Sequence, residues 1–122
     1  IHLILGNHDQ HIKDKEIKFL DSSFNPIDLF SSIQDVFTGK IGKNYFHLSH
    51  YSHQVWPGSH KNFIHLFGHS HGSLKGLGKS MDVGVDGNNL YPINIKEIRS
   101  IMKDRPHKKL TLPKDHHEKR LD

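Results

Sequence analysis

Three short segments of this 122-residue sequence place histidine directly after an apolar run. They are LILGNHD (residues 3–9), FHLSHYSH (46–53) and HLFGHSH (65–71). Imidazole, carboxamide and carboxylate groups bind divalent transition metals, and imidazole also transfers protons near neutral pH. The sequence has 13 histidines and no cysteine, so a transition-metal site has to use these groups rather than thiolates. The three segments therefore predict a metal-bearing pocket, provided that the fold brings their ends together.

The elements around these segments predict an α/β fold. Short apolar or alternating runs indicate strands, and apolar residues spaced three or four apart indicate a helix. The predicted strands are Ile1–Leu5, Tyr45–Leu48, Asn62–Phe67 and Met81–Val85, and the predicted helices are Ile95–Lys103 and a short one starting near Asn25. Gly39 and Gly42 are expected at the turn of a hairpin within DVFTGKIGKNYFHLSH. Ligands collect at the carboxyl ends of strands in α/β proteins, so the three histidine segments are expected at one edge of the fold.

Composition favours one globular domain followed by a tail. Hydrophobic residues make up 34% and charged residues 25% of the sequence, which is typical of a globular protein. Residues 1–104 are predicted to form the domain, and the polar, aperiodic residues 105–122 a disordered basic tail. No apolar run approaches the ~18 residues needed to cross a bilayer, so no membrane partner is expected. The lack of cysteine favours a cytoplasmic setting.

The formal net charge of +4 is unevenly distributed. Six of the 17 Lys and Arg residues, but only three of the 13 Asp and Glu residues, lie in residues 105–122. The body of the chain is therefore close to neutral, whereas a protein that follows a phosphate backbone needs a basic face. This distribution disfavours nucleic-acid binding by the tail as the main function, and nucleic acid is expected only as a substrate.

The order of the three segments resembles a known family. Gly6-Asn7-His8-Asp9, then His50, then Gly68-His69-Ser70-His71 are similar to the last three motif blocks of the calcineurin-like metallophosphoesterases, especially the small bacterial and phage members. The resemblance covers residues 1–103. The Asp-x-His and Gly-Asp blocks that come first in that family do not occur before Ile1. The resemblance thus implies an N-terminally incomplete metallophosphoesterase-type β-sandwich flanked by helices.

The resemblance also implies a role for each residue of the three blocks. Asn7, His50 and His69 would bind the second of two metal ions, and His71 would bind the first. His8 would lie beside the phosphate, where it stabilises charge or protonates the leaving oxygen. Asp9 would hydrogen-bond the imidazole of His8, although it is also suited to cap a following helix.

The function implied is hydrolysis of a phosphate mono- or diester by a water activated between two divalent metal ions. Histidine and carboxamide ligands suit Mn, Fe, Zn or Ni. The expected partners are the phosphate-ester substrate and an N-terminal segment that supplies the missing blocks. The alternative is a catalytically incomplete remnant, or half of a split enzyme, that binds a metal or a partner.

The remaining aromatic residues are expected to have structural roles. His2, His47 and His65 lie within predicted strands and are expected to fill polar or core positions of the sheet. His53 and His60 are expected to be exposed loop residues. Trp56 is expected to pack over the rim of the pocket.

Overall fold

The computed structural model describes residues 1–13 and 26–107, whose strands form two sheets. In chain order the elements are β1 (His2–Ile4), α1 (Gln10–Lys13), a 3₁₀ helix (Pro26–Leu29), β2 (Ser32–Gln34), β3 (Val36–Ile41), β4 (Asn44–Ser49), β5 (Ile64–Phe67), β6 (Ser80–Asp82), a second 3₁₀ helix (Val85–Gly87) and α2 (Ile95–Lys103). The described residues thus combine parallel and antiparallel strands with short helices, in agreement with the predicted mixed α/β content.

The two sheets differ in size and topology. The smaller sheet is the parallel pair β1–β2, with Leu3 opposite Ile33. The larger sheet has the order β3-β4-β5-β6, in which β3 and β4 are antiparallel and the other pairs are parallel. Parallel pairing places the carboxyl ends of β4, β5 and β6 at one edge of the larger sheet, as the sequence predicts.

The predicted hairpin is present, but only one of its two glycines lies in the turn. Gly42 and Lys43 form a two-residue connection between Ile41 and Asn44, and Gly42 adopts φ +61°. A two-residue hairpin turn requires positive φ, which glycine adopts without strain. Gly39 instead lies inside β3 and pairs with Phe46, so its prediction as a turn residue is wrong.

Several predicted boundaries shift in the structure. The strand expected at Met81–Val85 ends at Asp82, and a 3₁₀ helix begins at Val85. The strand ends there because Oδ1 of Asp82 accepts a hydrogen bond from the Gly84 amide at 2.8 Å, which replaces continued pairing by a turn. The strand expected at Asn62–Phe67 begins at Ile64.

The helix expected near Asn25 is also shorter than predicted. Asn25 itself lies outside the described residues. The 3₁₀ helix ends at Leu29, and Ile33, which the pattern places on the same helical face, lies in β2.

Helix α2 packs on the larger sheet and completes the core. It spans the nine residues that the apolar spacing predicts, and the Asn94 side chain caps it by accepting a hydrogen bond from the Lys96 amide at 2.8 Å. Its buried residues Ile98 and Met102 join a hydrophobic cluster with the strand residues Phe46, Ile64 and Leu66. This core supports the edge at which β4 and β5 end.

The predicted tail begins inside the described part of the chain. Arg105 donates hydrogen bonds to the carbonyl oxygens of Lys75, at 3.3 Å, and Ser80, at 2.5 Å, so this residue is attached to the domain. The rest of the predicted tail, from residue 108, lies outside the described residues. Among the residues that the structure describes, none belongs to a helix with the length and apolarity needed to span a membrane.

Candidate metal centre

Three side chains from separate strand ends meet at one point. His50 Nε2 lies 2.7 Å from Asn7 Oδ1 and 3.2 Å from His69 Nδ1. Asn7 Oδ1 and His69 Nδ1 are also 3.2 Å apart. We call these three residues the donor triangle. Two ligands on one transition metal with bonds of ~2.0–2.1 Å lie about 2.9–3.4 Å apart, so the spacing of the triangle is close to that of a metal-binding set.

The first corner is positioned by the turn after β1. Asp9 Oδ2 accepts a hydrogen bond from the Gly6 amide at 2.6 Å, and the Asp9 carbonyl accepts from the amides of Ile12 and Lys13 at the start of α1. Asp9 thus closes the turn with its side chain and begins the helix with its backbone carbonyl, and within the described residues its carboxylate does not cap the helix.

Gly6 is required at this turn by the close approach of His50. A Cβ atom on Gly6 would lie 2.8 Å from Cε1 and 2.9 Å from Nδ1 of the His50 ring, closer than Cβ contacts occur in proteins. The glycine therefore leaves room for the imidazole of the second corner rather than providing a left-handed turn.

The third corner lies in a loop with unusual backbone conformations. His69 and His71 adopt φ +62° and +48°, a left-handed region that costs a non-glycine residue about 1 kcal/mol or more. Such conformations persist only where surrounding contacts enforce them. Here the loop begins with the Gly68 amide, which donates to the His50 carbonyl at 3.0 Å and joins the second and third corners through the backbone.

Asp82 holds this loop from the neighbouring strand β6. One carboxylate oxygen accepts hydrogen bonds from the Ser70 hydroxyl and from the Gly72 amide, the latter at 3.0 Å, while the other accepts from Gly84. Burial alone would raise the pKa of Asp82, but the hydrogen bonds from Ser70, Gly84 and Gly72 hold it below its usual value. Sequence reasoning missed Asp82, because the predicted strand Met81–Val85 places it as the second residue of the strand, whereas it is the last residue of β6.

We expect Asp82→Asn to loosen the His69 loop and to lower the free energy of unfolding by about 1–3 kcal/mol. Both carboxylate oxygens of Asp82 now accept hydrogen bonds, whereas the side-chain NH₂ of asparagine would point at one or more of the same donor groups. Urea unfolding at pH 7 measures this, with Asp28→Asn, which changes an exposed carboxylate, as the control. Equal stability of the two variants would contradict the role given to Asp82. Because folding lowers the pKa of the Asp82 carboxyl, its contribution to stability is fully present above the pKa of the unfolded chain. That contribution is lost as the pH falls through the lower pKa of the folded protein.

The electrostatics of the triangle keep His50 neutral at pH 7. Partial burial lowers the pKa of His50, as do the nearby rings of His69 and His8, while the Asp9 carboxylate acts in the opposite direction. A neutral imidazole retains the lone pair that a metal ion needs.

Tyr51 covers part of the donor triangle. Its ring centroid lies 4.6 Å from that of His69 and 5.0 Å from that of His50, and the latter pair is edge-on. Aromatic contacts of this kind restrict the rotation of both imidazoles. Sequence reasoning did not single out Tyr51, because its position after His50 gives no indication of a contact with His69.

The other predicted site residues lie at the periphery of the triangle. His8 is exposed. Asp9 Oδ2 accepts a hydrogen bond from the Gly6 amide. Within the described residues no hydrogen bond joins Asp9 to the His8 ring, so the expected Asp9–His8 contact is not seen. His71 Nδ1 pairs with the carboxylate of Asp86 and is not part of the triangle.

A second group of histidines lies within the larger sheet. His47 and His65 are buried neighbours on β4 and β5, as their predicted structural role requires. His53 is half-buried rather than exposed, because its Nδ1 lies 2.9 Å from His47 Nε2 and its amide donates to His65 Nε2 at 2.9 Å. Trp56 is 3% exposed and packs against His65, so it belongs to this cluster and not to a pocket rim.

His65 has a defined tautomer and a strongly lowered pKa. Its Nδ1 faces the His47 carbonyl at 3.1 Å and must donate, while its Nε2 accepts from the His53 amide. Burial, reinforced by the rings of His47 and His53, lowers the pKa of His65 to about 4, although the bond to the His47 carbonyl acts in the opposite direction. Burial and His53 also lower the pKa of His47.

Comparisons with family models, curated proteins and solved structures gave no match. Among the described residues no three His, Cys, Asp or Glu side chains form a group that could hold a metal ion. The donor triangle is not such a group, because only two of its members are histidines and the third is the carboxamide of Asn7.

Proposed function

We propose that this chain carries part of the dinuclear metal centre of a metallophosphoesterase, which hydrolyses a phosphate mono- or diester. The observation that supports this most directly is the donor triangle, in which Asn7, His50 and His69 come from three separate strand ends to within 3.2 Å of one another. The motif order of the sequence, which resembles calcineurin-like metallophosphoesterases, supports the same assignment.

The chemistry of the donor triangle fits a divalent transition metal. One carboxamide oxygen and two imidazole nitrogens suit Mn, Fe, Zn or Ni, and the lowered pKa of His50 favours the neutral ring, which has one nitrogen with a free lone pair. When bound, a pair of such ions neutralises phosphate charge and lowers the pKa of a water held between them. In this proposal His71 binds the other ion, and its contact with Asp86 orients its ring.

His8 has the properties of an acid acting beside the metal centre. It is exposed and follows Asn7 directly in the chain, so it lies next to the triangle without belonging to it. In this position the imidazolium donates its proton to the leaving oxygen of the ester. Asp9 supports it indirectly by fixing the turn that presents Asn7 and His8.

The finer fold that we propose is a metallophosphoesterase-type β-sandwich completed by an N-terminal segment. Two cavities of ≈ 370 and ≈ 340 Å³ lie between the smaller and larger sheets, and both are lined by Ile4 and Leu48. Apolar space of this size suits a few side chains of an added segment. The same segment would supply the metal ligands that the donor triangle and His71 do not provide.

Hydrolysis of two phosphodiesters with different leaving groups tests the proposal and the role of His8. The chain is assayed together with the N-terminal segment, with Mn²⁺ or with EDTA, on a nitrophenyl ester and an alkyl ester. We expect metal-dependent hydrolysis of both. His8→Ala should slow the alkyl ester by ~10²–10⁴-fold and the nitrophenyl ester much less, since nitrophenolate leaves without protonation.

His11→Ala is the matched control, because His11 is an exposed histidine one turn further along the chain. It should leave both rates and the metal content unchanged. Metal binding without hydrolysis would favour the alternative of a metal-binding remnant. Loss of metal in His8→Ala, or equal slowing of both esters, would exclude the acid role.

A further inference from the structure

A cleft lined by positive charge lies at the opposite end of the larger sheet from the donor triangle. Lys79, Arg99 and Lys103 line it, together with the carboxamides of Asn44 and Asn62, around a volume of ≈ 340 Å³. Asn44 is the first residue of β4, whereas His50 follows its end, and a strand of this length spans about 20 Å. We call this feature the basic cleft.

The cations of the basic cleft are held in place by neutral acceptors. Arg99 Nε donates to Asn44 Oδ1 at 2.9 Å, and its guanidinium lies over Gly42, where a Cβ atom would come within 2.6 Å of it. The Lys79 ammonium donates to the carbonyl of Met102 at 2.5 Å. These contacts orient both groups but leave several N–H donors of each unused.

Within residues 1–13 and 26–107, no carboxylate forms an ion pair with these cations. The ion pairs of this part of the chain are Lys13–Asp35 and His71–Asp86, and neither includes a residue of the cleft. Glu97 in α2 and Asp104, which follows the helix, do not line it. Three like charges that share one cleft repel one another, and an anion bound between them removes that repulsion.

We propose that the basic cleft binds the phosphate group of a small organic phosphate. A guanidinium and two ammonium groups are the side chains that proteins use for phosphate, and the guanidinium can donate to two oxygens at once. The volume is at the lower end for small-molecule sites, and the aliphatic stems of the two lysines and of Arg99 provide an apolar wall for an organic group, since Ile64 and Met102 are buried beneath them. Because the cleft is remote from the donor triangle, this binding needs no metal and does not depend on the proposed hydrolase function.

An NMR titration tests the proposal. The metal-free protein, in EDTA, is titrated with inorganic phosphate and, separately, with phenyl phosphate. Saturable shifts are expected for the amides of Asn44, Asn62 and Arg99, with tighter binding of phenyl phosphate because of the apolar wall. Arg99→Gln should raise the dissociation constant at least about tenfold through loss of charge-assisted hydrogen bonds.

Two further variants keep the test decisive. Lys103→Gln changes an exposed side chain and should weaken binding even if loss of the Arg99–Asn44 bond affects folding. Lys75→Gln makes the same charge change outside the cleft and should leave the dissociation constant unaltered. Four results would overturn the proposal. The first two are shifts that do not saturate and shifts confined to residues 6–9 and 68–72. The others are equal affinity for the two probes and equal weakening of binding by Lys75→Gln.

Discussion

Replacing His50 or His69 with alanine is expected to lower the affinity for Mn²⁺ or Zn²⁺ by more than about 100-fold. Loss of a side chain that only orients a metal ligand costs 10–100-fold, and each of these histidines is itself a proposed ligand. With three donor atoms in the triangle, removal of one leaves two, which cannot fix the geometry of a transition metal. The measurement is calorimetric titration of the metal.

His116 and His117 are adjacent imidazoles outside the described residues and have to be excluded as a separate metal-binding group, so both are first replaced by alanine. His60→Ala serves as the matched control because His60 is an exposed loop histidine. An unchanged titration in both His50→Ala and His69→Ala would refute the donor triangle as a metal site, and an equal loss in His60→Ala would show that the binding is not specific.

The second large effect expected is a loss of stability in mild acid. The pKa of His65 is about 4 in the folded protein, whereas an unfolded histidine titrates near 6.5. Because the folded pKa is lowered, the stabilisation is complete above pH 6.5 and declines as the pH falls from 6.5 to 4, since the unfolded chain binds the proton first. The difference corresponds to about 3 kcal/mol at full effect.

Two structural features explain why protonation of His65 is so unfavourable. The ring is 0% exposed, and its Nε2 already accepts a hydrogen bond from the His53 amide, so an added proton would face another N–H. The titratable groups around it are the rings of His47 and His53, and His47 contributes in the same direction because its pKa is also lowered.

Urea unfolding of the wild type between pH 7 and pH 4.5 measures this dependence. His65→Gln should be less stable at pH 7, but its stability should fall less as the pH is lowered, with the contributions of His47 and His50 remaining. His60→Gln, the exposed control, should keep the wild-type slope. A His65→Gln variant as acid-sensitive as the wild type would show that another group is responsible.

The approach of His50 to His69 could be anticipated from sequence because it depends on a general property of parallel sheets. Each segment showed an apolar run followed by polar ligand-type residues, and parallel pairing of β4 with β5 is sufficient to place His50 and His69 at one edge. Asn7 follows β1 of the smaller sheet, so its approach depends on how the two sheets pack and not on this rule. The α2 helix was equally predictable, because apolar residues on one face and a capping asparagine before Ile95 are local signals.

The contacts that support the site could not be anticipated, because each depends on register or on a side-chain conformation. The Asp82 carboxylate accepts hydrogen bonds from Ser70 and Gly72 only because β6 pairs with β5 in one particular register. The reason for Gly6 was also inaccessible, since the sequence shows a glycine at a strand end but not the His50 ring beside it. Burial of His53 follows from the pairing of His47 with His65.

The topology of the larger sheet also determines when the donor triangle is assembled during folding. The β3–β4 hairpin closes through two residues and forms within ~1–10 μs, whereas β4 pairs with β5 across the intervening segment from Phe46 to Ile64. Contacts that are remote in sequence form late, because the entropy of loop closure is lost before the pairing compensates for it. We therefore expect His50 and His69 to meet after the hairpin has formed, and Asn7, which is further away in sequence, to join later. The φ-values should be high around Gly42 and low at the triangle, and a metal ion should slow unfolding more than it accelerates refolding.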